Sequence, residues 1–135
     1  MNNLIEGVVA AGHKVKVLAI NTNKYNVDIS DIPEDYKKQT NIELVYIDLS
    51  LKPIPAFLNL FTGKSYHVER FISDNFREKL KEVLLNQKFD IVQIETLFMS
   101  PYIDTIREFS KAPIVLRAHN IEYLIWTRVA SITRN

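Results

Sequence analysis

Four small groups of polar residues follow apolar, β-branched runs in this sequence. They are Asn21 with Thr22, Asp48 with Ser50, Glu95 with Thr96, and Arg117 with His119 and Asn120. Each type has a distinct chemical use. A carboxylate or hydroxyl such as Glu95 or Thr96 can orient a substrate hydroxyl. A guanidinium such as Arg117 can hold a phosphate or pair with a carboxylate, and an imidazole such as His119 can stabilise charge that develops during reaction. In open α/β sheets, ligands bind beyond the carboxyl ends of the strands. The last two groups are the richest and are the candidates for a site.

Each candidate also has a purely structural reading. Glu95 could orient a substrate hydroxyl or cap the helix that leads toward Pro101, and the two readings weigh equally. Arg117 stands in an otherwise apolar run and needs a partner if buried, with Glu95 or Glu122 available. An ion pair there is as natural as a phosphate contact, and Arg128 carries the same ambiguity. His119 could cap a strand or a helix. Glu122, in the first turn of the last helix, also complements the helix dipole. Tyr123 and Trp126 read as packing residues, and Lys79, Lys81 and Lys88 as a solvated helix face.

Several chemistries lack their residues. The chain has 3 glycines, Gly7, Gly12 and Gly63, and none falls in a G-x-G-x-x-G or P-loop spacing. There is no G-x-S-x-G elbow. His13, His67 and His119 are far apart and match no metal spacing, so no metal is expected in this domain. With 0 cysteines, disulfides, thiolate metal sites and a cysteine nucleophile are excluded, as a reducing cytoplasm would allow.

The elements that must position these residues are those of one ordinary domain. The chain has 135 residues, 47% hydrophobic and 24% charged, with a formal charge of +1. That balance offers no bulk attraction to nucleic acid. No run approaches the roughly 18 apolar residues of a membrane span. No signal sequence is visible at Met1 to Leu4.

Apolar residues at helical spacing (Leu4, Ile5, Val8, Val9) predict an opening helix closed by Gly12. Strands are predicted over residues 14–20, 42–47, 90–94 and 113–118. A long connection over 21–36 carries a short helix near 33–38, and a turn or two of helix is expected over 56–61. Helices follow over 66–72, 75–86 (N-cap Asp74) and 101–110, the last opened by Pro101 and turning Tyr102, Ile103, Ile106 and Phe109 inward. A final helix over 121–133 has Ile121, Ile125, Val129 and Ile132 as its apolar stripe. Alternating short strands and amphipathic helices predict an α/β fold: a Rossmann-like parallel sheet with helices on both faces. Such a domain normally begins with a strand at the centre of its sheet, so its first strand is expected to be missing.

Three segments resemble the N-terminal domain of the GT-B glycosyltransferases of the large retaining group often called group one or family four. They are Ala11-Gly12-His13-Lys14-Val15, then Phe89 to Phe98 followed by Pro101-Tyr102, and Leu116-Arg117-Ala118-His119-Asn120-Ile121-Glu122-Tyr123 with Trp126 and Arg128. Together they span most of the chain, and the third is the most specific.

The resemblance implies that residues 1–135 are a single acceptor-side domain, half of a GT-B architecture, truncated from a longer enzyme. Such an enzyme moves a sugar from a nucleotide-sugar donor to a hydroxyl acceptor. His119 would face the transferred sugar, and Glu95, Thr96, Arg117, Asn120 and Glu122 would contact substrate. No cofactor is expected in this domain. The implied partners are a missing C-terminal donor-binding domain and a carbohydrate or lipid-linked acceptor, with a homodimer through an exposed sheet edge as a further expectation. The implied location is cytoplasmic, or peripheral at the inner face of the membrane. Two other functions fit the pattern: a non-catalytic Rossmann-like binding or interaction module, and another GT-B enzyme such as a sugar-nucleotide epimerase.

Overall fold

The computed structural model describes residues 2–50, 66–118 and 122–133. The helix expected over 56–61 lies outside these residues. In chain order the elements are α1 (Asn2–Ala10), β1 (Leu18–Thr22), a 3-10 turn (Ile29–Asp31), α2 (Glu34–Thr40), β2 (Glu43–Ile47), α3 (Tyr66–Glu69), α4 (Asp74–Asn86), β3 (Val92–Glu95), a second 3-10 turn (Leu97–Tyr102), α5 (Ile103–Phe109), β4 (Ile114–Arg117) and α6 (Glu122–Thr133).

The domain is mixed α/β, but its strands form two separate parallel pairs rather than one sheet. β1 pairs with β2 in the register Leu18↔Glu43 to Thr22↔Ile47, and β3 pairs with β4 from Val92↔Ile114 to Glu95↔Arg117. The single four-stranded sheet expected from the sequence is therefore absent among the described residues. The physical reason is visible between the pairs. β1 and β3 flank an apolar cavity of about 470 Å³, lined on the way by Phe76, Leu80 and Leu84 of α4. This cavity opens to solvent, so its apolar walls are in part wetted, and covering them would add burial that stabilises the domain.

Local chemistry explains the element ends. Gly12 has φ +87°, and the Gly12 amide donates to Val9 O (2.9 Å) while His13 donates to Val8 O (3.2 Å). These two bonds are the paired closure of a helix whose next residue must be left-handed, which glycine adopts without Cβ strain. Ser73, not Asp74, caps α4, its hydroxyl accepting from the Phe76 amide at 3.4 Å. Asp74 is already helical. Pro101 does not open α5 but sits inside the preceding 3-10 turn, and α5 starts at Ile103.

β1 begins and ends later than the apolar run suggests, so Asn21 and Thr22 belong to the strand itself. Pairing decides this: the Val17 amide donates to Thr40 O at 3.0 Å, and the ladder starts only after that contact.

The core gathers Ile47, Phe76, Leu80, Leu84, Ile94, Tyr102 and Ile106. The i, i+4, i+7, i+8 face read for α4 is the buried one, with Phe76, Leu80, Val83 and Leu84 all below a tenth exposed. Tyr102 and Ile106 are buried as expected, and Ile103 and Phe109 pack against the cluster. The stripe predicted for α6 is corrected in its described part. Val129 and Ile132 are exposed, and the elements described here do not cover them. Ile121 lies outside the described residues, as does the side chain of Ile125.

Lys79 is not merely solvated. It pairs with Glu43 of β2 at 2.5 Å and with Glu82 at 3.0 Å, and Lys16 meets the same Glu43 carboxylate. The Lys16 and Lys79 ammonium groups hold the Glu43 carboxyl below its ordinary value, the Lys16 bond contributing most. A lowered folded-state pKa contributes stability above the unfolded value, and that stability is lost as pH falls through the folded pKa. Wild type should therefore exceed Glu43→Gln in Tm at neutral pH, with the gap closing as pH falls below the usual carboxylate range. A gap constant from neutral to acid pH in thermal melts would contradict this assignment.

Candidate functional site

Two of the four polar groups are consumed by the fold. Asn21 clamps the loop after β1: its Oδ1 accepts from the Val27 amide and its Nδ2 donates to Val27 O, both at 2.9 Å. Thr22 is buried, and its hydroxyl accepts from the Tyr25 amide at 3.0 Å. Asp48 folds back on Ser50, accepting from both its amide and its hydroxyl at 2.9 Å. Asn23 bridges the two strand ends by accepting from the Leu49 amide at 3.3 Å. These contacts shape loops and leave little to offer a ligand.

The carboxyl ends of β3 and β4 are different. Glu95 and Arg117 are direct partners in the parallel register, so both side chains leave the same face of the pair. Arg117 Nη1 lies 3.5 Å from Glu95 Oε1. The Gln93 side-chain amide, two residues earlier on that face, donates to the same Glu95 oxygen. The ion pair anticipated for Arg117 thus exists, with Glu95. It does not satisfy the guanidinium: Nη1 is buried and has no hydrogen-bond partner among the described residues, although the side chain as a whole is 41% exposed. A buried donor left in this state is a direction in which an acceptor atom is welcome.

Thr96 follows at once, with φ 87° and ψ 151°. A β-branched residue there is strained by about 1–3 kcal/mol. Two backbone bonds hold it. Its amide donates to Arg117 O at 3.1 Å, and its carbonyl accepts from the Met99 amide at 3.3 Å. β3 thereby turns sharply into the 3-10 segment while staying tied to the end of β4.

Thr96→Gly should remove this strain, at some cost in unfolded-state entropy. The expected net gain is about 1 kcal/mol, read as a rise of a few degrees in Tm. A destabilised variant would show that the Thr96 side chain contributes packing that outweighs the strain.

The structure brings together Glu95, Thr96 and Arg117. His119 and Asn120 lie outside the described residues. Glu122 is the first residue of α6, and its side chain is also outside the description. Two features of the site escaped sequence reading. Gln93 could have been found, because period-two alternation puts it on the face of Glu95. The positive φ of Thr96 has no sequence signal, since threonine is disfavoured there.

Compared with protein-family profiles, curated proteins and solved structures, the chain matches none.

Among the described residues, no cluster of three or more His, Asp or Glu side chains is placed to hold a metal ion, and no metal role is assigned to them. No helix among them is long and apolar enough to cross a membrane. What the arrangement can do is electrostatic. A guanidinium with a spare donor and a carboxylate meet at the ends of two parallel strands, where a polar ligand could be oriented, and Thr96 ties the two strand ends through its backbone.

Proposed function

We propose that this chain is the acceptor-side, N-terminal domain of a retaining GT-B glycosyltransferase, its strands belonging to one Rossmann-like sheet. The observation that carries the reading is the Glu95–Thr96–Arg117 group at the carboxyl ends of adjacent parallel strands. It stands immediately ahead of the His119-Asn120-Ile121-Glu122 sequence. A strained backbone at such a position is a hallmark of sites that must hold a geometry against local preference.

In this reading Glu95 orients the acceptor hydroxyl and Arg117 supplies its spare donor to a substrate oxygen. His119 faces the transferred sugar, with Asn120 and Glu122 beside it. Sugar transfer builds positive charge at the anomeric carbon and negative charge on the leaving diphosphate, so catalysis rests on positioning and electrostatic stabilisation. The acceptor proton passes to the leaving phosphate, so His119 is no general base. The donor-binding residues belong to a second domain, and this domain alone is inactive. The setting is cytoplasmic, or peripheral at the inner membrane face for a lipid-linked acceptor.

The test takes the longest polypeptide that the coding region specifies. It measures nucleoside diphosphate release from a panel of nucleotide sugars with alkyl glycoside acceptors. Transfer with retained anomeric configuration is expected. The reading fails if no donor is consumed and alkyl glycosides leave the Glu95, Thr96 and Arg117 amide resonances unmoved.

A further inference from the structure

The polar side chains that shape the loop after β1 also fix what that loop presents. Asn21 grips both the amide and the carbonyl of Val27, and Thr22 Oγ1 accepts from the Tyr25 amide. Asp28 caps the 3-10 turn by accepting from the Ser30 amide at 2.8 Å. With these polar groups turned onto the backbone, the large apolar side chains face out. Tyr25 is 70% exposed, Val27 45% and Ile29 44%. Exposed apolar side chains grouped on one clamped loop are a contact surface rather than scatter. A ring held out on a fixed backbone also has less entropy to lose when a ligand arrives.

This loop shares a side of the domain with Glu95 and Arg117. Asn23 Oδ1 accepts from the amide of Leu49, just past β2, and Leu49 O accepts from the Arg70 guanidinium. Phe71, the next residue, stacks on Phe98 with ring centroids 4.9 Å apart. Phe98 in turn follows Thr96 in the second 3-10 turn. The carboxyl ends of both strand pairs are thereby tied together, on the side where open α/β sheets bind ligands.

We infer that Tyr25 is a stacking platform for a sugar ring of the acceptor other than the ring that reacts, so that the acceptor is a glycan of at least two sugars. Three features specify that chemistry. Lys24 Nζ stands over one face of the Tyr25 ring, 5.3 Å from its centroid, and leaves the other face to a ligand. A pyranose presents a face of C–H groups, which the electron-rich aromatic face attracts, with hydroxyls around its edge. Asn23, Lys24 and Asn26, all exposed, offer amide and ammonium groups to those hydroxyls. Charge argues against a lipid surface, because Asp28 and Asp31, exposed in the same loop, repel anionic headgroups. The second sugar follows from position. Tyr25 belongs to the β1–β2 end and Glu95 with Arg117 to the β3–β4 end, with the Phe71–Phe98 stack in the path between them. A ring seated on Tyr25 is therefore not the ring whose hydroxyl Glu95 orients.

The platform rests on the sugar-transfer reading for its ligand class, and its test reads binding separately from transfer. The 135-residue chain is titrated with methyl glucoside, methyl galactoside, cellobiose, maltose and lactose, and the Tyr25 ring resonances are followed by NMR. At least one disaccharide is expected to move them and to bind about 10-fold more tightly than either monosaccharide. Tyr25→Ala should abolish that preference and Tyr25→Phe should keep it, since the ring face and not the hydroxyl makes the contact. Both variants should melt within about two degrees of wild type, because the side chain is exposed. Where transfer is observed, Tyr25→Ala should raise the acceptor KM for a disaccharide and leave kcat unchanged.

Disaccharide binding that depends on Tyr25 supports the platform even if no sugar is transferred. Transfer with a disaccharide preference that Tyr25→Ala leaves intact overturns the platform alone. It is also overturned if no sugar moves the Tyr25 ring. Shifts at Tyr25, Val27 and Ile29 that grow with the concentration of the chain alone, or that appear on phosphatidylcholine–phosphatidylglycerol vesicles, overturn it too, since a second copy or a membrane would then be the occupant.

Discussion

Tyr102→Ala is expected to destabilise the domain by about 3–5 kcal/mol, the range for deleting a large buried aromatic. Domains of this kind are stable by roughly 5–15 kcal/mol, so the variant should stand at the edge of folding. Tyr102 is 1% exposed and sits at the centre of the core, its ring 4.7 Å from that of Phe76. Its hydroxyl accepts from the Ser73 amide at 2.9 Å and donates to Phe71 O at 2.7 Å. It therefore satisfies two backbone groups just where the chain turns from α3 into α4.

Tyr102→Phe separates the two contributions. The ring packing stays, but a half-buried amide and carbonyl lose their partner, at a cost of about 1 kcal/mol. Urea unfolding checks both variants, and an unchanged m value would show that the denatured state is unaffected. A Phe variant within a few tenths of a kcal/mol of wild type would mean that water replaces the hydroxyl.

The second large effect concerns His119. On the proposed reading of sugar transfer, His119→Ala should lower kcat by a factor on the order of 10² to 10³, the loss typical when one group facing developing charge is removed. Thermal stability of the 135-residue chain should be nearly unchanged. A His119 that only capped a strand or helix would show the reverse pattern: a lower Tm and undiminished transfer. The pair of measurements therefore separates the two uses of this residue, which sequence reading alone could not.

Arg117 offers a graded comparison. Arg117→Met keeps the aliphatic stem and removes both the Glu95 ion pair and the unsatisfied donor. Its effect on stability should be small, because partly exposed pairs contribute little.

Much of the fold is legible in the sequence. The buried face of α4 followed from period alone, because a helix with apolar residues at Phe76, Leu80, Val83 and Leu84 has one side that water disfavours. Gly12 announced its turn because few other residues adopt that φ without strain. The parallel direction of both strand pairs followed from the helix between successive strands. A cation in an apolar strand needs a neighbour, and the sequence offers Arg117 two carboxylates, Glu95 and Glu122, of which Glu95 is the partner.

Other features belong to the tertiary structure. β1 starts four residues and ends two residues later than the run at 14–20, because ladders start where a partner arrives, not where apolar residues begin. The cap of α4 moved to Ser73 because backbone geometry, not residue type, decides between two adjacent good caps. Lys79 found Glu43 across a sequence gap that no local pattern spans. The exposed Val129 and Ile132 show that an amphipathic stripe states a need for cover without saying what provides it.

What the sequence by itself determined is which residues want to be buried and which chain segments are strand or helix, because those preferences are local. Only the tertiary structure decided that the strands stand as two pairs around an apolar cavity, with Thr96 held in a strained turn against Arg117. Those outcomes depend on which edges meet, and hydrogen-bond partners distant in sequence leave no mark on the residues between them.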